Sequence, residues 1–156
     1  MTRSLALLLF ASVAFGQAPP SIVLDGGDGH KISLTAQDLA GLPQQTIQAN
    51  EHGKAAVFEG VFLSDVLAKK QVPAGEKLRG KALAGYLLVE AADGYKVVFS
   101  LAELDPAFSD KRVYLATKRD GKPLSETEGP FRIVVPDEKR PARWVRQVTA
   151  LHWKQP

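Results

Sequence analysis

Leu83-Ala84-Gly85-Tyr86-Leu87-Leu88-Val89-Glu90-Ala91-Ala92-Asp93-Gly94-Tyr95-Lys96-Val97-Val98-Phe99-Ser100 contains two apolar, β-rich runs separated by Ala92-Asp93-Gly94. Asp-Gly between such runs is a strong hairpin signal, because both residues accept the positive φ that a tight turn matched to strand twist demands. The stretch predicts strands over Leu83 to Ala91 and Tyr95 to Ser100. Ser100 and Glu103 then offer a capping box for one helical turn ending near Pro106.

The same grammar continues toward the N-terminus. Ser21 to Leu24 and Lys31 to Leu34 flank Asp25-Gly26-Gly27-Asp28-Gly29, a second hairpin with a glycine-rich turn. A calcium loop is excluded because Gly27 and Gly29 occupy positions that should carry oxygen ligands. A phosphate loop would need a helix directly after it, whereas a strand-like segment follows. Thr35 and Asp38 give an N-cap and acidic first turn for a short helix closed by Gly41 and Pro43. Gln44 to Ala49 reads as extended, Asn50 to Lys54 as a polar loop with Glu51 and His52 in solvent, and Ala55 to Glu59 as extended. Leu63 to Lys70 has helical spacing.

Toward the C-terminus, Arg112 to Thr117 predicts a strand before the turn Arg119-Asp120-Gly121-Lys122. Glu126 and Glu128 read as loop residues before Gly129. Phe131 to Val135 and Trp144 to Trp153 predict strands around a charged loop, Asp137 to Arg143. Seven or eight strands with three short helices make an α+β domain in which strands dominate.

The first 16 residues read as a secretory signal peptide: Arg3, an apolar stretch from Leu5 to Phe15, and small residues Ala14 and Gly16 at the cleavage point. The apolar run is too short to span a bilayer, which takes ~20 residues, and no later segment is long and apolar enough. The expectation is a mature domain over residues 17–156, periplasmic or secreted, with no stable membrane insertion. Losing Arg3 lowers the formal charge from +3 to +2. So mild an excess argues against nucleic acid as a partner. The chain has no cysteine, which removes thiol nucleophiles, zinc-thiolate sites and iron-sulfur clusters. A hydrolase is disfavoured, since no Gly-X-Ser-X-Gly elbow occurs. The three histidines, His30, His52 and His152, show no close metal-ligand spacing.

Four pieces recur in a telling order: Phe58-Glu59-Gly60-Val61-Phe62-Leu63, then Asp93-Gly94-Tyr95, then Gly129-Pro130-Phe131-Arg132-Ile133-Val134-Val135-Pro136, then Arg143-Trp144-Val145-Arg146. Together they resemble the molybdopterin-binding domain of sulfite-oxidase-type oxidoreductases, from about Ser33 to Trp153. The resemblance implies a compact, strand-rich, mixed-sheet α+β domain and molybdopterin as the cofactor. It also implies that Arg132, Arg143 and Arg146 correspond to basic residues that contact the cofactor, guanidinium being suited to bidentate contact with phosphate. Family members that work as enzymes hold molybdenum through a cysteine upstream of the aromatic-X-Gly segment. The matching place here falls at or beside Ala49, so no metal ligand and no catalytic residue is expected.

Gly60 reads as permitting a tight approach to the following helix, Asp93-Gly94 as a turn and Pro136 as a strand end. Arg143 and Arg146, three apart in a strand, would point to opposite faces unless the chain bends at Arg143. The alternative for the arginines is a solvated basic edge that discourages sheet-to-sheet association. Two functions follow: a molybdopterin-binding-domain protein without molybdenum-thiolate catalysis of its own, or a non-catalytic periplasmic binding module for a small anionic ligand or a protein partner.

Overall fold

A computed structural model describes residues 18–156. The proposed leader therefore lies outside the described residues. Ten strands follow in order: β1 (Ser21–Asp25), β2 (Lys31–Thr35), β3 (Gln45–Glu51), β4 (Lys54–Phe62), β5 (Tyr86–Ala91), β6 (Lys96–Ser100), β7 (Tyr114–Arg119), β8 (Lys122–Pro123), β9 (Arg132–Val134) and β10 (Val148–Lys154). Three short α-helices intervene, α1 (Ala36–Ala40), α2 (Leu63–Ala68) and α3 (Leu101–Leu104), with 3-10 turns at Gly75–Lys77, Gly80–Ala84 and Pro141–Arg143. No helix among the described residues is long and apolar enough to cross a membrane.

The strands form two sheets. One has the order β2-β1-β10-β5-β6, and it is mixed because β1 runs parallel to β10 while its other pairs are antiparallel. The second has the order β3-β4-β7-β8, with β9 also paired to β7. Alternation fixes which face each strand buries. In β5, Leu87, Val89 and Ala91 are buried, and across the ladder Val97 and Phe99 of β6 meet Val89 and Leu87. A slip of one residue would turn this apolar set outward, which is why the Asp93-Gly94 hairpin holds one register. Buried residues of both sheets, among them Ile22, Phe58, Leu115, Ile133 and Leu151, join a single core.

Local chemistry sets the element ends. Thr35 and Asp38 close a reciprocal capping box on α1. At α3 only half of the expected box forms: Ser100 accepts from the Glu103 N–H, while the Glu103 carboxylate is drawn to Lys111 and Arg143. The β3–β4 turn is tighter than a loop over Asn50 to Lys54, because His52 (φ 52°) and Gly53 (φ 82°) both take left-handed conformations and let Glu51 pair with Lys54.

Three sequence expectations are revised. Leu83 lies in a 3-10 turn and is 44% exposed, so β5 begins only at Tyr86. Trp144 to Trp153 is not one strand: a 3-10 turn over Pro141–Arg143 and a left-handed Gln147 (φ 49°) delay β10 to Val148. Gly60 serves strand packing, not the approach to a helix. It lies inside β4 at a bulge opposite β7, where a Cβ would come within 2.2 Å of the Leu115 carbonyl oxygen.

Candidate functional site

Strand β9 carries Arg132 inward, flanked by Ile133 and Val134, which are also fully buried. Backbone bonds hold this strand on both sides: the β7 ladder pairs Ala116 with Arg132, Ile133 N–H donates to Val145, and Val148 N–H donates to Phe131. A guanidinium that is 1% exposed must be neutralised and hydrogen-bonded, since a lone buried charge is prohibitively costly. Two carboxylates do this. Arg132 Nη2 donates to Glu51 Oε1 and Nη1 donates to Glu128 Oε1.

Arg119, from the end of β7, completes the cluster. Its Nη1 lies 3.2 Å from Glu51 Oε2 and 2.7 Å from Glu128 Oε1. Both guanidinium carbons lie 5.3 Å from the centre of the Phe58 ring, and that of Arg132 lies 5.8 Å from Trp144. The rings of Phe58 and Trp144 meet edge to face, and Trp144 Nε1 donates to the Val135 carbonyl at 2.9 Å. Arg132 is thus walled by two aromatics and bridged by two acids, while its Nε has no partner among the described residues.

Glu51 is not a solvated loop residue. It ends β3, and its side chain is only 12% exposed. Burial pushes its carboxyl pKa up, but the Arg132 hydrogen bond and the charges of Arg132, Arg119 and Arg146 outweigh this and hold it below the ordinary value. For Arg119, burial lowers the pKa, and bonding to Glu128 with the charges of Glu128 and Glu51 more than reverses it.

Arg143 belongs to a second cluster. Its Nε donates to Glu138 at 2.8 Å, Nη2 to Glu103 at 2.7 Å and to Glu138, and Nη1 to the Val98 carbonyl at 3.2 Å. The guanidinium carbon also lies 4.4 Å from the centre of the Phe99 ring. The Glu103 hydrogen bond is the largest influence raising the Arg143 pKa; burial opposes it. Lys111 adds a further cation, 2.7 Å from Glu103 and 3.5 Å from Glu138.

Arg146 is exposed, with no ion pair within 4.0 Å among the described residues. It lines a polar cleft of about 330 Å³ with Asp93, Tyr95, Thr127, Trp144 and Gln147. The chain bends at the 3-10 turn over Pro141–Arg143, so strand alternation does not govern Arg143 and Arg146. Of the three sequence candidates, Arg132 and Arg146 act on the same carboxylate, Glu51, while Arg143 is committed elsewhere.

Sequence reading took Arg119 as a turn residue only and set Glu51 and Glu128 aside as loop residues. A trace of the last was visible, since Glu128 precedes Arg132 by four residues. No group of three or more His, Cys, Asp or Glu that could hold a metal ion occurs among the described residues. His152 instead places Nδ1 3.3 Å from Asp25 and Nε2 3.6 Å from Glu90. A more apolar cavity of about 250 Å³ beside α2 and α3 contains none of the candidate arginines. Its buried Asp105 is occupied by the Gly75 and Ala107 N–H groups.

The sequence over residues 21–156 matches the family described as the oxidoreductase molybdopterin binding domain. The chain belongs to this family. Its fold is similar to that of the sulfane dehydrogenase SoxCD from Paracoccus pantotrophus, with a TM-score of 0.65 and 23% sequence identity over 88% of this chain and 38% of that one. The chain therefore spans well under half the length of that relative. Among curated protein sequences none matches.

The residues present do not fit molybdenum held by a thiolate. The chain has no cysteine, and Thr46, Ile47, Gln48, Ala49 and Asn50 of β3, where the sequence comparison with the family's enzymes would expect one, offer no thiolate. Nor are Arg132 and Arg143 free for a phosphate, because each is already bonded to two carboxylates.

Proposed function

We propose that the chain is an exported binding domain of the molybdopterin-binding family, periplasmic or secreted after loss of residues 1–16, that performs no molybdenum-thiolate chemistry of its own. Its ligand is a small anion, the pterin class included. A chain with no thiolate cannot offer the soft donor that stabilises molybdenum in its working oxidation states. The observation that carries the reading is the internal pairing of Arg132 and Arg143, which leaves Arg146, of the three candidates, without an ion pair among the described residues and at the rim of the polar cleft. Guanidinium at a cleft is suited to carboxylate or phosphate recognition.

The test is chemical analysis of the native protein. Expressed with its own first 16 residues, recovered from the exported fraction and sequenced from its N-terminus, it should begin at Gln17. It should contain no stoichiometric molybdenum. Molybdenum at one equivalent would overturn the proposed lack of metal chemistry, and retention in the cytoplasm would overturn export. Fluorescence of oxidised pterin in the same sample decides whether the bound anion is a pterin. If anionic ligands fail to bind and a periplasmic protein is retained instead, the small-anion reading is replaced by a docking one.

A further inference from the structure

The Arg119–Glu51–Arg132–Glu128 cluster has the form of an occupied anion site in which the occupant is part of the chain. Glu51 presents its two oxygens separately, Oε1 to Arg132 and Oε2 to Arg119. That is how a free two-oxygen anion bridges a pair of guanidiniums. Glu128 already serves both arginines through a single oxygen, Oε1, so Glu51 is the second acid on the same pair. A third guanidinium, that of Arg146, acts on Glu51 through space without contacting it. Asp120, 61% exposed, reaches only the outer Nε of Arg119, at 3.6 Å.

The origin of Glu51 matters as much as its contacts. It is the last residue of β3, joined to β4 by the two left-handed residues His52 and Gly53. Arg119 and Arg132 come from β7 and β9, which pair with each other. Arg132 is held within the β9 ladder, while Arg119 and Glu51 each end a strand at a turn of two left-handed residues, Asp120-Gly121 and His52-Gly53, so one cation and one anion of the cluster ride on hairpin ends.

We propose that Glu51 is an internal ligand: its carboxylate occupies, between Arg119 and Arg132, the seat of an external small oxyanion such as a carboxylate or phosphate. The site is latent in the native chain and opens when that carboxylate is removed. This goes beyond the binding-domain reading, which places its ligand at Arg146, and it stands apart from metal and pterin content.

Chemical rescue of the full chain tests it. Glu51→Ala removes the carboxylate and leaves a two-oxygen gap between the arginines. Formate and inorganic phosphate, each titrated against sodium chloride at matched ionic strength, should raise the melting temperature of this variant saturably; the formate and phosphate arms separate planar from tetrahedral anions. The wild-type protein should respond no more than it does to chloride. Glu51→Ser also vacates the seat and keeps a polar group, so if Glu51→Ala does not fold, calorimetric phosphate binding to Glu51→Ser replaces it. Adding Arg119→Gln to either variant should abolish the response. Equal responses from wild type and variant, no response from the variant, or a response that persists with Arg119→Gln would each overturn the proposal.

Discussion

Glu51 and Arg132 lie 81 positions apart in the chain and are joined by a charge-assisted hydrogen bond, with Arg132 1% exposed and Glu51 12%. Truncating Glu51 leaves two guanidiniums, one of them dry, sharing the single charge of Glu128. Glu51→Ala in the absence of added anion is expected to lose about 3–5 kcal/mol of stability. Equilibrium urea unfolding measures it, and a loss below ~1 kcal/mol would mean that water solvates the cluster freely.

Acid should weaken the fold through the same acids. The carboxyls of Glu51 and Glu103 are both held below the ordinary value of 4.5. Groups with depressed folded pKa values contribute stability that is fully present above that value and disappears as pH falls through the folded one. The melting temperature should be flat in this contribution above pH ~5 and decline below it. Glu51→Gln should flatten the acid limb; an unchanged limb would assign the acid sensitivity to other groups.

Arg143 ties three segments together, bonding to Glu103 of α3, Glu138 of the preceding loop and the Val98 carbonyl on β6. Arg143→Ala strands two partly buried carboxylates beside Lys111 alone. Hydrogen bonds to charged groups contribute about 1.5–3 kcal/mol, and a loss in that range is expected from thermal unfolding. Arg143→Lys should recover only part of it, because a single ammonium nitrogen lacks the planar spread of donors with which Arg143 reaches Glu103, Glu138 and the Val98 carbonyl at once. Full recovery with Lys would reduce the role of Arg143 to its charge.

Gly60 has no room for a side chain, with Leu115 O and Ala116 Cα at 2.2 Å and 2.6 Å from a built Cβ. The obstacle is backbone, so rotamer changes cannot relieve it. Gly60→Ala should cost at least the ~1–3 kcal/mol typical of overpacking, read from the urea midpoint. A neutral result would show that the β4 bulge shifts freely.

Ala49 and Glu51 alternate onto the same face of β3, two residues apart. Ala49→Cys should therefore introduce one titratable thiol without molybdenum retention, because Arg132 remains tied to Glu51 and Glu128. Thiol titration and metal analysis of the purified variant check this. One equivalent of molybdenum would show that the ion cluster yields to the cofactor.

The hairpins were legible because their information is local: Gly94 after Asp93, and Asp120 with Gly121, supply the left-handed turn conformations, and Thr35 with Asp38 writes a helix start in four. The strand proposed from Trp144 failed for a local reason too. Trp144 and Val145 are both buried, which strict alternation forbids, and the left-handed Gln147 is a conformation that glutamine does not advertise. The site was less legible because its partners are distant. Arg119 meets Glu51 across 68 positions, and nothing in the composition of Asn50 to Lys54 distinguishes a solvated acid from a buried one. Arg132 was visible as a candidate, but which acids meet it is a property of the β3, β7 and β9 ladders.

The parallel pairing of β1 with β10 has a temporal consequence. In the order β2-β1-β10-β5-β6, the β1–β2 hairpin reaches the rest of its sheet only through β10. A ribosome that has made residues 21–35 must still make residues 148–154 before that hairpin finds its neighbour. The first sheet therefore cannot assemble progressively behind the ribosome, and an isolated two-stranded hairpin is at best marginally stable in water. Closure at such sequence separation is slow as well as late. Until it occurs, the first sheet stays open at its middle, whatever the second sheet has already done.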